Sequence, residues 1–482
     1  MTRRRRLNRF AKRSNSWNVA STRTWLVVGV IIGGCGSVES VLPDAPGGDE
    51  CTADTFIACD GDVARSCNAS GTATIDKSCG GNGCNALAGR CNACVPDSTV
   101  CGMNSVDTCG ANGLPVSQQP CALGCVAPNA DGARCRFIVP SYGALDAACD
   151  KVATTSSLTI SSDSTFNTDN DGLCTGGIVT QAGGPAICII RFGTITIDVG
   201  ATLSMIGTRA LAMISDGPLE ISGTLDVAAD GTLNGPGGGA PLSGGVAGGT
   251  TGGGGAGFVA AGGAGGTRTA TGGGANGGAA QADPANQSAL VGGPRPNDGV
   301  GLTPSGGGGG AVILVSCRGQ VSVTGTIDAG GGGGGGGRDT VAGGGVSLTA
   351  GGGGGAGGNI VLQGAAVTVS GGVFANGGGG GGGMSQNDEV GNPGQDGLRS
   401  VNPANGGAGK TDGGTGGVGG RGAGGFGPGG GKLTASSTSG SPGGGGGSAG
   451  FVQTYTPAGM APTLTSSTAS PAFGTNRVVQ TR

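Results

Sequence analysis

The chain has 482 residues, with 26 basic side chains, 29 acidic ones and a formal charge of −3. Histidine is absent, which excludes the commonest general base, the commonest metal ligand and every Ser–His or Cys–His nucleophile pair. The 118 glycines and 22 prolines give a low-complexity composition, yet Val-, Ile- and Leu-rich phrases recur between the glycine runs and carry the apolar surface of a core.

Residues 1–34 read as an export leader. Arg3 to Arg6, Arg9, Lys12, Arg13 and Arg23 form a basic region with no acidic residue, and Trp25–Ile32 is an apolar stretch too short to span a bilayer. The stretch ends in Ile32-Gly33-Gly34-Cys35, which resembles the lipobox of bacterial lipoproteins. That resemblance implies cleavage after Gly34, lipidation of Cys35 and attachment to a membrane, with residues 35–50 as a tether. The expected location is outside the cytosol, lipid-anchored in the bacterial cell envelope at the outer membrane or cell surface. Loss of the leader removes eight basic side chains and no acidic ones, so the mature chain is more acidic still and unsuited to nucleic acid.

Twelve cysteines follow in two sets of six: Cys51, Cys59, Cys67, Cys79, Cys84 and Cys91, then Cys94, Cys101, Cys109, Cys121, Cys125 and Cys135. The shared central steps of 8 and 12 residues indicate a duplicated unit, spanning 51–93 and 94–139. Cys91 and Cys94 have the spacing of half a zinc site, but they straddle the two units and no second such pair accompanies them. An exported, histidine-free chain with an even number of remaining cysteines predicts disulfides, and each unit is too small to be ordered by its core alone. The repeat resembles cysteine-rich modules near the N-termini of surface lipoproteins of myxobacteria and their relatives, which imply no activity. Of the remaining four, Cys174 and Cys188 enclose a glycine-containing loop, which leaves Cys149 and Cys317 to pair by elimination.

From residue 157 a phrase returns five times. Leu219-Glu-Ile-Ser-Gly-Thr-Leu-Asp-Val227, Val321-Ser-Val-Thr-Gly-Thr-Ile-Asp-Ala329 and Val367-Thr-Val-Ser-Gly-Gly-Val-Phe-Ala375 are its clearest copies, and varied ones begin at Leu158 and Ile195. Apolar residues alternate with Thr, Ser, Glu or Asp, as in a strand with one buried face, and a mid-phrase step marks a corner. A further strand precedes the phrase at Ala210–Ile214, Ala311–Val315 and Asn359–Leu362, and Gly450–Tyr455 closes the array. Three short strands, two corners and one variable loop per repeat predict an all-β chain whose region 140–457 is a parallel β-helix with long glycine-rich loops. The pattern is similar to that of right-handed β-helix proteins. The inserts near 232–310 and 377–447 are expected to be either mobile or packed as parallel polyglycine-II helices. Residues 458–482 read as a flexible tail.

Two motifs touch on chemistry. Ala404–Thr411 fits a loose phosphate-binding loop, but the glycines after it cannot start a helix, so no nucleotide is expected. Asn167, Asp169 and Asp171, ending at Gly172, resemble the first half of a calcium loop and are the candidate metal ligands. Ile178 stands where the loop would need a glutamate, and a polar turn capping an early rung accounts for the same residues. Asp226 and Asp328 hold equivalent repeat positions and read as a solvent-facing ladder. No complete catalytic motif is present and no cofactor is expected beyond that calcium candidate. The reading is a non-enzymatic, membrane-anchored surface lipoprotein with a structural or adhesive role toward a cell-surface glycan or protein. The alternatives are a polysaccharide-active β-helix enzyme and a calcium-dependent binding module.

Overall fold

A computed structural model describes residues 51–129, 132–239, 251–267, 274–281, 288–298, 303–342, 345–385, 389–411, 413–414 and 440–482. The leader, Cys35 and the tether lie outside them. The described chain divides into two compact units. One comprises residues 51–55 and 67–74; the other comprises 56–66 and 75–482. The first is closed by the Cys51–Cys67 disulfide.

Three parallel sheets dominate the second unit. The first takes strands Ser157–Ile160, Thr194–Ile197, Leu219–Ile221, Gln320–Val323, Ala366–Val369 and Thr463–Leu464 in that spatial order. The second takes Ser164–Asn167, Thr202–Ile206, Thr224–Asp226, Thr326–Asp328, Gly372–Phe374 and Thr468–Ser470. In the third, Ile187–Phe192, Ala210–Ser215, Ala311–Ser316, Asn359–Gln363, Phe451–Thr456 and Arg477–Val478 run parallel, with Gly177–Val179 antiparallel at the edge. The chain visits the sheets in a fixed rotation, and every visit adds the next strand. The repeated phrases pair in register, Leu219 opposite Val321 and Val321 opposite Val367. Among the described residues the remaining regular structure is short antiparallel ladders and three 3-10 turns. No described helix is long and apolar enough to cross a membrane.

Burial explains the strand composition. In Leu219–Ile221 the outer two side chains are buried and Glu220 between them is exposed, so one face of the strand meets the core. The middle strands of the third sheet, Ala210–Ser215, Ala311–Ser316 and Asn359–Gln363, are buried at every position because both of their faces are covered. Val312 and Leu314 point into the interior shared with the other sheets. Ala311, Ile313 and Val315 pack instead against Phe137, Ile138, Tyr142 and Leu145. At the mid-phrase corners the glycines sit one on another: a Cβ on Gly325 would lie 1.9 Å from the carbonyl oxygen of Gly223, and one on Gly371 1.9 Å from that of Gly325.

Each long glycine insert leaves the end of a second-sheet strand and returns at the start of a third-sheet strand. The described insert segments pack into a bundle bonded through the backbone at every third residue. Gly331, Gly334 and Gly337 donate to the carbonyls of Asn376, Gly379 and Gly382; Gly352, Gly355 and Gly358 donate to those of Gly335, Gly332 and Ala329. Gly351, Gly354 and Gly357 donate to Pro442, Gly445 and Ser448. That three-residue period is the polyglycine-II repeat, whose backbone groups all point outward and find partners on neighbouring segments. Residues 349–358 are buried at the centre. A Cβ on Gly355 would stand 1.8 Å from the carbonyl oxygen of Gly307, so the bundle closes only where side chains are absent. Of the two expected states of the inserts, these segments take the packed one.

The sixteen cysteines after Cys35 form eight disulfides. Both modules share one connectivity, first to third, second to fifth and fourth to sixth: Cys51–Cys67, Cys59–Cys84 and Cys79–Cys91, then Cys94–Cys109, Cys101–Cys125 and Cys121–Cys135. Cys174–Cys188 and Cys149–Cys317 complete the set. Eight disulfides belong to an oxidising, exported setting. Residues 458–482 are not a free tail: Thr463–Leu464, Thr468–Ser470 and Arg477–Val478 extend the three sheets by a rung, and Gln480–Thr481 pairs with Ile138–Val139. These strands are two or three residues long, too short to show alternation, and the preceding rung supplies their partners.

Candidate functional site

The in-register pairing of Thr224–Asp226 with Thr326–Asp328 sets Asp226 opposite Asp328 at the end of two adjacent rungs. Each carboxylate turns the chain into the glycine insert that follows: Asp226 Oδ1 accepts from Ala228 N at 3.0 Å, and Asp328 Oδ1 from Gly330 N at 2.9 Å. Their second oxygens accept from one guanidinium. Arg399 Nη2 donates to Asp226 Oδ2 and Arg399 Nε to Asp328 Oδ2, both at 2.7 Å. The expected solvent-facing ladder is therefore corrected. Asp328 is 3% exposed, and an arginine from a distant insert clamps both carboxylates.

Arg399 is held in place by its own segment. Asp396 accepts from Gly231 N at 3.2 Å and Gly333 N at 2.7 Å, which ties the segment to two other inserts. Buried Asn376 donates to the carbonyls of Leu398 and Ser400 at 2.7 and 2.8 Å, on either side of Arg399. Burial pushes the Asp328 carboxyl up to about 6, while the hydrogen bond and charge of Arg399 pull against that rise.

Asp226, Asp328, Asp396 and Arg399 line a groove of about 410 Å³, together with Thr165 and Ser204 from the second sheet. It shares Asp230, Asp328, Asp396 and Arg399 with a neighbouring cleft of about 710 Å³ that follows residues 393–399. None of the residues lining the groove is aromatic. Carboxylates, one arginine and hydroxyls suit hydrogen bonding to a hydroxyl-rich or cationic ligand, and offer no platform for ring stacking.

The calcium candidates lie elsewhere and face the protein's own donors. Asn167 Oδ1 accepts from Asp169 N, Asp169 accepts from the backbone and hydroxyl of Thr208, and Asp171 pairs with Arg209 at 2.6 Å. This is the geometry of a polar turn fastening residues 167–171 to the next rung. Among the described residues, no group of three or more Cys, Asp or Glu side chains is placed to hold a metal ion.

Comparison finds no family model, no curated protein and no solved structure that matches this chain. Arg399 and Asp396 carry no motif. Their one trace in the sequence is the polar island Ser385–Asn405, which interrupts the glycine runs.

Proposed function

We propose that the three sheets are the faces of one parallel β-helix, and that the chain is a non-enzymatic, lipid-anchored cell-surface protein with an adhesive or structural role. The fixed rotation of the chain among the sheets, with each visit one strand further along, supports the helical winding. The eight disulfides support display outside the cytosol, and the lipobox at Cys35 supplies the anchor. The packed glycine inserts form a rigid backbone lattice on the side of the stack where variable loops make contact. The partner class is a cell-surface glycan or protein held by hydrogen bonds in the carboxylate groove.

The observation that carries the non-enzymatic reading is the clamp. Arg399 occupies both facing carboxylates at 2.7 Å, so neither is free to act as nucleophile or base toward a glycosidic bond. One observation favours the rival enzyme: a buried carboxyl raised to about 6 is suited to general-acid work. A single experiment separates them. Purified protein is screened on a panel of polysaccharides for retention and for release of reducing sugar or unsaturated uronide. Retention without turnover, weakened by Arg399→Met, is expected; turnover abolished by Asp328→Asn would overturn the reading. In cell fractionation, Cys35→Ser is expected to move the protein from membranes to the soluble fraction, and retention would refute the anchor.

A further inference from the structure

Away from the groove, a buried charge cluster closes the start of the stack. Arg191 is the penultimate residue of the third-sheet strand Ile187–Phe192, and Arg318 follows Ala311–Ser316. Both donate to one oxygen of Asp216, Arg191 Nη2 at 2.7 Å and Arg318 Nη1 at 3.0 Å. The other oxygen accepts from Thr154 N at 2.8 Å. Arg191 also donates from Nη2 to the carbonyls of Lys151 and Val152. Two guanidinium groups thus share one carboxylate, and a positive charge is left over inside a chain with more acidic than basic residues.

A cavity of about 320 Å³ adjoins this surplus. Its wall includes Lys151, Thr154, Ser156, Thr175 and Arg191. The Lys151 ammonium donates to the carbonyl of Gly176 at 3.3 Å, which holds the cation at the rim. Thr154 and Ser156 hydroxyls lie 2.8 Å apart, with a proton to direct outward. Among the described residues no carboxylate lines the cavity; Asp216 is turned to the arginines and Asp150, next to Lys151 in the chain, is not part of the wall. The side chain of Arg191 is only 8% exposed, and its Nε is a buried donor with no acceptor among the described residues. Such a donor calls for an acceptor, and the described residues do not supply one.

We propose that this cavity is an oxyanion site for a compact sulfate or carboxylate group. Lys151 and the surplus charge of the Arg191–Asp216–Arg318 cluster supply the field, and Thr154 and Ser156 supply the hydroxyls, since the Thr175 hydroxyl is already engaged by the Arg191 backbone. Charge-assisted hydrogen bonds of this kind are the strong ones. The site is independent of the carboxylate groove and of the reading drawn from it. Free anions and acidic polysaccharides both carry the group, and both fit the chemistry.

Sodium sulfate and sodium acetate are titrated into the full chain against sodium chloride at matched ionic strength, with binding followed by calorimetry and by the backbone resonances of residues 151–156 and 175–176. Saturable binding of sulfate or acetate is expected, weakened at least tenfold in Lys151→Glu. That variant changes a rim residue, and its melting profile checks that the fold is kept. Arg191→Lys, which keeps the charge but loses the fork, is expected to bind more weakly than the native chain. Dextran sulfate competing for the site, where neutral dextran does not, assigns it to polymer-borne anions; binding of the free ion alone assigns it to small anions. Sulfate and acetate indistinguishable from chloride, or equal affinity in Lys151→Glu, would overturn the proposal.

Discussion

Replacing Gly355 by alanine tests whether the glycine inserts are structural. The added Cβ would stand 1.8 Å from the carbonyl oxygen of Gly307 and 2.6 Å from its carbon, where ordinary contact begins near 3.4 Å. Both atoms are backbone, so no side chain can swing away; the segments must part by about 1.5 Å, the gap between clash and contact. That shift breaks the bond from Gly355 N to Gly332 O and the one from Gly378 N to Gly355 O, each now 2.9 Å. Buried groups left unpaired cost about 1–3 kcal/mol each, and overpacking about 1–3 kcal/mol more. The lost chain entropy of the unfolded state returns less than about 1 kcal/mol. A net loss of about 4 kcal/mol is expected, read as a urea midpoint lowered by about 1 M for a slope of about 3 kcal/mol per molar. Gly143→Ala is the control: nothing lies within 4 Å of its added Cβ, and its midpoint is expected to stay within about 0.2 M of the native value. Equal midpoints for the two variants would refute a packed bundle.

Asp328 predicts a pH dependence of known sign. Its folded pKa of about 6 lies above the unfolded value, so between about pH 4 and 6 only the folded chain holds the proton. Native stability from this group is therefore present at pH 4 and lost as pH rises through 6, by about 3 kcal/mol over the full window. Asp328→Asn should flatten that slope in denaturation measured at pH 4.5 and 7.5; an unchanged slope would contradict the assignment. The disulfides give a second ordering. Cys149–Cys317 closes 168 residues and Cys174–Cys188 closes 14, so by chain entropy their loss costs about 5 and about 3 kcal/mol respectively. Serine pairs at each bridge, compared by urea denaturation, should rank in that order.

Much of the architecture was legible because the phrase beginning at Leu219, Val321 and Val367 repeats the same alternation, and register follows from alternation. The all-apolar run Ala311–Val315 announced a strand, but not that Phe137 to Leu145 would cover its outer face, since a run buried on both sides looks the same whatever covers it. The last rung was missed because Thr463–Leu464 and Thr468–Ser470 are too short to display a period. The glycine runs left two states open. Sequence alone does not reveal whether Gly331 meets Asn376 or water, because that depends on the return path of a different insert. The groove was half visible: Asp226 and Asp328 stood at matching positions, while Arg399 reaches them from 71 residues beyond Asp328. Long-range electrostatic partners leave no local spacing to read.

Native-state amide exchange shows whether the glycine inserts form an ordered scaffold on the stack of repeats. Gly352, Gly355 and Gly358 donate to buried carbonyls between packed segments. Their amides should exchange as slowly as that of Leu314 in the third sheet, and accelerate together with it under mild destabilisation. Exchange of the insert amides at the rate of free polyglycine, while Leu314 stays protected, would contradict the account.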